Sequence, residues 1–190
     1  MGRSRSRRPA PDLTAFSPET GRPSAPSLAS ATLPRVWQGI GYRPLPDAAA
    51  ARPLFDFAAV PWPPAPPALA WGAYAAGARG ERLVGALAGE QHRGDVLLHG
   101  PVVSAHEGPD DPLEVAAQLV AATLDHAGAL GATTVFARPL GLDRVWVRFG
   151  FIPVPEVTLP APLAGRVGVG LYAWRGGSAL WTLREAAAHE

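Results

Sequence analysis

Neither lysine nor cysteine occurs in the 190 residues, and all 17 basic side chains are arginine. Without lysine there is no amine for a Schiff base and no P-loop lysine. Without cysteine there is no disulfide, no thiolate nucleophile and no Cys-ligated zinc. Long uninterrupted apolar runs are missing too. The longest charge-free stretch, Phe57–Ala78, is broken by Pro61, Pro63, Pro64, Pro66 and Pro67, which a membrane-spanning helix would not tolerate. The basic N-terminus is not followed by the apolar segment of a secretory signal. The expectation is a cytoplasmic protein with no membrane partner.

Hydrophobic residues make up 47%, enough for a core in one domain of this length. Residues 1–34 stand apart. They hold six Pro, six Ser and five Arg against Asp12 and Glu19, a net charge of +3, which leaves the remaining 156 residues at −2. Such a segment buries too little surface to offset its ordering entropy, and it reads as a disordered tail, with a single domain over 35–190. Arg3, Arg5, Arg7 and Arg8 lack interleaved aromatics, and the body is slightly acidic. A nucleic-acid partner is therefore not expected.

From Val36 the pattern becomes globular. A strand over Val36–Leu45 leads to a short helix over Asp47–Phe57, with Asp47 as N-cap and Pro53 limiting it. The proline-dense Pro61–Pro67 reads as an extended linker. Three strands follow, Ala70–Ala76, Arg82–Gln91 and Asp95–Val103, forming an antiparallel meander. Helical spacing of Val115, Leu119, Leu124 and Ala127 predicts a helix over Leu113–Leu130, capped by Asp110 or Asp111 and closed by Gly131. Thr133–Ala137 is a strand, and this crossover is long enough to make it a parallel neighbour of Asp95–Val103. A short helix over Leu142–Phe149 follows, then strands over Phe151–Val157, Val167–Trp174 and Ala179–Leu183. Gly176–Gly177 makes the last turn. The class is α/β (α+β), with a mixed central sheet.

This β-α-β-β-β-α-β-α-β-β order, with Val145-Trp146-Val147-Arg148-Phe149-Gly150-Phe151 and Leu119–Ala132, resembles the GNAT superfamily of acyl-CoA-dependent N-acyltransferases. The resemblance covers Val36–Trp174. It implies acetyl-CoA or another acyl-CoA as co-substrate, a small-molecule or peptide amine as acceptor, and direct attack in a ternary complex. It also implies a diphosphate at the start of the long helix. There, however, Asp111, Pro112, Leu113, Glu114, Val115 and Ala116 replace the family's glycine-rich loop, and only Ala116 conforms. The two carboxylates repel a diphosphate, and Pro112 offers no N–H. The alternative cofactor contacts are the backbones of Val102, Val103 and Ser104, with phosphates toward Gly108. Where many members carry a tyrosine acid the chain has Trp146, which cannot protonate a thiolate and reads as core. Nor does the Asn often seen earlier occur, since Pro139 and Leu140 stand there.

For the general base, Glu90 is the first candidate and His92 the second, both closing a meander strand. His99, Glu156 and Tyr172 are further candidates, although His99 also suits an interior packing role. His106, Glu107, Asp110 and Asp111 lack HExxH spacing, so no metal is expected. Gly168–Ala173 matches GxGxxA without the following helix and strand of a dinucleotide unit. Trp174 and Trp181 are candidates for a homodimer surface. Two readings remain open, a GNAT-like acyltransferase and a GNAT-fold binding module that has lost catalysis.

Overall fold

The computed structural model describes residues 27–78, 80–104, 111–164 and 180–184. Eight strands form one sheet in the order β1-β2-β3-β4-β5-β6-β8-β7. The strand expected over Val36–Leu45 is a hairpin instead, β1 (Arg35–Trp37) and β2 (Ile40–Pro44). Gln38 and Gly39 take φ of 48° and 83°, the double left-handed turn that suits a tight hairpin. Asp47 caps a 3₁₀ turn, Ala48–Ala51, by accepting from Ala49 N–H at 2.9 Å. That turn runs into α2 (Arg52–Phe57), where Pro53 occupies the first turn and loses no intrahelical bond.

Residues 28–31, read from the sequence as part of the tail, form a helical turn, α1 (Leu28–Ala31). Ser27 caps it and Ala31 is buried. Arg35 extends this packing through an ion pair to Asp125 at 2.7 Å.

The meander is present as β3 (Leu69–Gly77), β4 (Gly80–His92) and β5 (Asp95–Val103). The long helix α3 (Pro112–Ala129) has Asp111 as N-cap and Gly131, at φ 81°, just past its C-cap. It returns the chain to β6 (Thr134–Ala137), which pairs parallel to β5. After α4 (Asp143–Arg148) the strand expected over Phe151–Val157 shrinks to β7 (Ile152–Val154). Short 3₁₀ turns at Glu156–Thr158 and Ala161–Leu163 follow, as Pro155, Pro160 and Pro162 remove ladder donors. The final strand β8 (Leu180–Arg184) inserts between β6 and β7, antiparallel to both. The expected strand Val167–Trp174, the Gly176–Gly177 turn and Tyr172 lie outside the described residues.

Strand alternation sorts the side chains by face. Trp71, Ala73, Leu87, Leu98 and Val135 pack against α3, with Trp146 and Phe151 completing that core. On the opposite face Ala70, Ala88 and Val102 meet Phe55 of α2, and Leu97 and Phe136 meet Leu159 and Leu163 of the segment after β7. That segment lies as a strap across the face. No helix among the described residues is long and apolar enough to cross a membrane.

Trp71 Nε1 donates to His126 Nδ1 at 3.2 Å. Indole only donates, so this bond requires an unprotonated Nδ1. Burial also holds the His126 pKa below its usual 6.5. A depressed folded pKa means that the unfolded chain takes up the proton first, so this stability is complete above about pH 6.5 and declines as pH falls below it. The urea midpoint should drop between about pH 7.5 and about pH 5.5. His126→Gln, which keeps an acceptor for Trp71, should reduce that drop.

Candidate active site

The parallel pairing of β5 and β6 is short, joining Asp95–Leu98 to Thr134–Ala137. β5 then continues through His99 to Val103 with no strand beside it on that side among the described residues. β6 stops because the chain leaves at Arg138–Pro139 and turns through Leu140 and Gly141, both at positive φ. β5 bends away at a bulge. Ala86 pairs with Val102 but Ala88 pairs with His99, so β5 carries one extra residue there. Gly100 takes φ 96°, and a Cβ on it would lie 3.0 Å from Val102 N, so the bulge requires glycine. Among the described residues the two parallel strands thus part beyond Leu98 and Ala137, leaving a wedge between them on the β6 side of β5.

The wedge selects among the expected backbone contacts. Ser104 donates both its N–H (2.8 Å) and its hydroxyl (3.2 Å) to Val84 C=O, so neither donor faces the wedge. Alternation along the ladder then turns Val102 toward β4 as well and directs the N–H and C=O of Val103 into the wedge. Of the three expected contacts, Val102 and Ser104 thus turn their backbone groups to β4, and Val103 alone turns them to the other side. Ala116 is fully buried between α3 and the sheet rather than presented at the helix tip. Gly108 lies outside the described residues.

The start of α3 is self-contained. Asp111 accepts from Leu113 N–H through its carboxylate at 2.9 Å. Its C=O takes the N–H groups of Glu114 at 2.9 Å and Val115 at 3.0 Å, while Pro112 has none to give. Glu114 accepts from Gln118 and from Arg148 of α4, each at 2.8 Å, and these bonds hold its carboxyl below the usual value. A cleft of about 220 Å³ separates the helix start from α4, with Arg144 and Arg148 on its far wall.

Glu90 is not a solvated strand end. It is 5% exposed, and its Oε1 lies 2.9 Å from His99 Nε2. The hairpin register explains the pair. Ala88 sits opposite His99 and Glu90 opposite Leu97, so Glu90 and His99 are diagonal neighbours on one face. That face carries Ala88 and Leu97, opposite α3, and the dyad separates the cluster under α2 from the one under the strap. His99 is the first β5 residue beyond the β6 pairing, at the root of the wedge. His92 is not brought to it. It pairs with Asp95 beside the hairpin turn, at the closed end of the β5–β6 pair. Glu90 and His99 were each candidates in the sequence, but their pairing depends on the β4–β5 register.

Trp146 is fully buried, edge-on to Phe151 at 4.8 Å, and its Nε1–H has no partner among the described residues. On the β6 side Arg138 binds Glu156 in the strap with both η nitrogens, Nη2 to Oε2 at 2.8 Å. Among the described residues no cluster of three metal-ligating side chains occurs, and His106, Glu107 and Asp110 fall outside them.

No family model and no curated protein matches the chain. Solved structures do. One is similar over 79% of this chain and 35% of its own, at TM-score 0.53 and 18% identity: N-acetylglutamate synthase from Neisseria gonorrhoeae with coenzyme A and N-acetyl-glutamate. The same synthase with coenzyme A and L-arginine aligns over 80% and 34%, at TM-score 0.54 and 14% identity. The chain therefore spans about a third of that enzyme's length. An IAA acetyltransferase from Bacillus cereus aligns over 77% of this chain and 99% of its own, at TM-score 0.52 and 10% identity.

Proposed function

On the premise that this chain carries the GNAT fold, we propose that it is an acyl-CoA-dependent N-acyltransferase acting on an amine. The observation that carries this reading is the half of β5 that no strand among the described residues flanks on the β6 side, with a buried carboxylate–imidazole dyad at its root. Acyl-CoA, when bound, supplies an activated acyl carbonyl on a thiol leaving group. The chain's own residues fit part of that molecule. The Val103 N–H and C=O, directed into the wedge, suit the amide-bearing arm. The tip of α3 does not suit the diphosphate, because Asp111 and the helix itself consume its N–H groups. Across the cleft Arg144 is a cation that could meet it, whereas Arg148 is paired with Glu114.

In the reaction the amine nitrogen forms a bond to the acyl carbon, and the carbon–sulfur bond breaks. His99 takes the proton that the amine loses, and Glu90 orients the imidazole and balances its charge. Trp146 offers no acid for the departing thiolate, so that proton comes from water. Holding two reactants in one wedge supplies much of the rate.

Calorimetric titration with acetyl-CoA tests the first step, and thiol release in the presence of amines tests the second. The absence of cysteine leaves a thiol reagent no background on the protein. Binding at micromolar to millimolar concentration with acceptor-dependent thiol release is expected. The second reading, a GNAT-fold binding module, draws on the capped start of α3, and it prevails if acetyl-CoA fails to bind at millimolar concentration.

The charges at that helix start yield a further expectation. Asp111→Arg with Glu114→Gly removes two repulsions of about 1 kcal/mol each, frees Arg148 and adds a cation. Acetyl-CoA affinity should rise about tenfold, less at high salt, although losing the cap should cost about 1 kcal/mol of stability. An unchanged affinity would place the phosphates away from α3.

A further inference from the structure

His99 and Arg138 are the first residues on either side of the splay, since the last backbone pair joins Leu98 to Ala137. Leu97 and Phe136 both pack under the strap, and His99 and Arg138, each two residues further along, leave the strands on that same face. The two lips of the wedge therefore carry an imidazole on one side and a guanidinium on the other.

Arg138 is held differently from the ion-paired Arg35, Arg43 and Arg148, which are more exposed. Its side chain is only 12% exposed, and both of its η nitrogens meet the carboxylate of Glu156. A guanidinium so far out of water needs a carboxylate, and its planar fork recognises one by two parallel hydrogen bonds. Glu156 is the less committed partner. Its side chain is 48% exposed and begins a single 3₁₀ turn in the proline-rich strap. The buried half of the pair is fixed on the sheet, whereas a carboxylate from solution presents the same two oxygens as the exposed half.

Resting on the acyltransferase reading, we infer that the acceptor is an amine that carries a carboxylate, the amino acids being the simplest class. Arg138 binds that carboxylate, and Glu156 stands in for it when the site is empty. The amine then lies toward His99 and the carboxylate toward Arg138, across the mouth of the wedge.

Binding of the product class tests this without acyl-CoA. N-acetyl amino acids and their carboxamides, at millimolar concentration, are compared by thermal shift and calorimetry on the full chain. At least one acid should bind about tenfold more tightly than its carboxamide. Glu156→Gln, a change at an exposed residue, should strengthen acid binding several-fold by removing the internal competitor. Arg138→Lys, which keeps the charge but not the fork, should abolish the preference for acid over carboxamide, a ratio that a purely structural role would not move. In thiol-release assays the same variant should raise KM for amino acids about tenfold with little change in kcat. Equal binding of acid and carboxamide, no binding of any acid, or no effect of Glu156→Gln overturns the inference. Turnover of amines regardless of a carboxylate would overturn it while leaving the acyltransferase reading intact, whereas failure of acetyl-CoA to bind would defeat that reading.

Discussion

Replacing His99 by Ala is expected to lower kcat for acyl transfer by about 10²- to 10⁴-fold, the range for loss of a positioned general base. Acetyl-CoA affinity should stay within about twofold, because the imidazole lies on the face opposite α3, away from the helix start and α4. Glu90→Gln should cost less, about ten- to a hundredfold. The amide oxygen can still meet the His99 ring at 2.9 Å, but the charge that balances a protonated imidazole is gone. Glu90→Ala is a poorer probe, since it leaves a buried imidazole without this partner and destabilises the fold for reasons unrelated to chemistry. Steady-state thiol release with saturating acetyl-CoA measures all three. A His99→Ala enzyme within a few-fold of wild type would remove the dyad from the mechanism.

The largest stability effect should come from Phe151. It follows Gly150, whose φ of 80° turns the chain at the end of α4, and its ring reaches back to Trp146 and the core under α3. Phe151→Ala should cost about 3–5 kcal/mol, the transfer term plus the cavity left behind. Trp146→Ala should fall in the same range. Trp146→Phe should be much milder, below about 2 kcal/mol, because removing a buried N–H without a partner offsets part of the lost packing. Urea denaturation of the three variants at one pH measures the series. A cost below about 1 kcal/mol for Phe151→Ala would be incompatible with the placement of α4.

What the sequence determined by itself were the features that act over a few residues. Asp47 and Asp111 accept from N–H groups two positions on, so their caps were readable from residue type and position. The apolar spacing from Val115 to Ala127 built α3, and the crossover length set β6 parallel to β5. Proline placement excluded helix from 61–67, and Trp146 read as core because indole offers no acid. The absence of cysteine and lysine limited the chemistry before any coordinate was known.

Tertiary structure decided whatever depends on which distant segments meet. Two left-handed residues split the first strand into a hairpin, and Gln38 has no strong sequence preference for that conformation. β8 inserted between β6 and β7 because strand order is set by global packing, not by local propensity. The wedge exists because an extra residue at Gly100 bends β5 just where Arg138–Pro139 ends β6. The same register carried Glu90 to His99 rather than to His92, and the strap brought Glu156 to Arg138, 18 residues away. Composition and periodicity report which face of an element is buried, but a polar pair across strands depends on register to a single residue. Only the assembled sheet specifies that register.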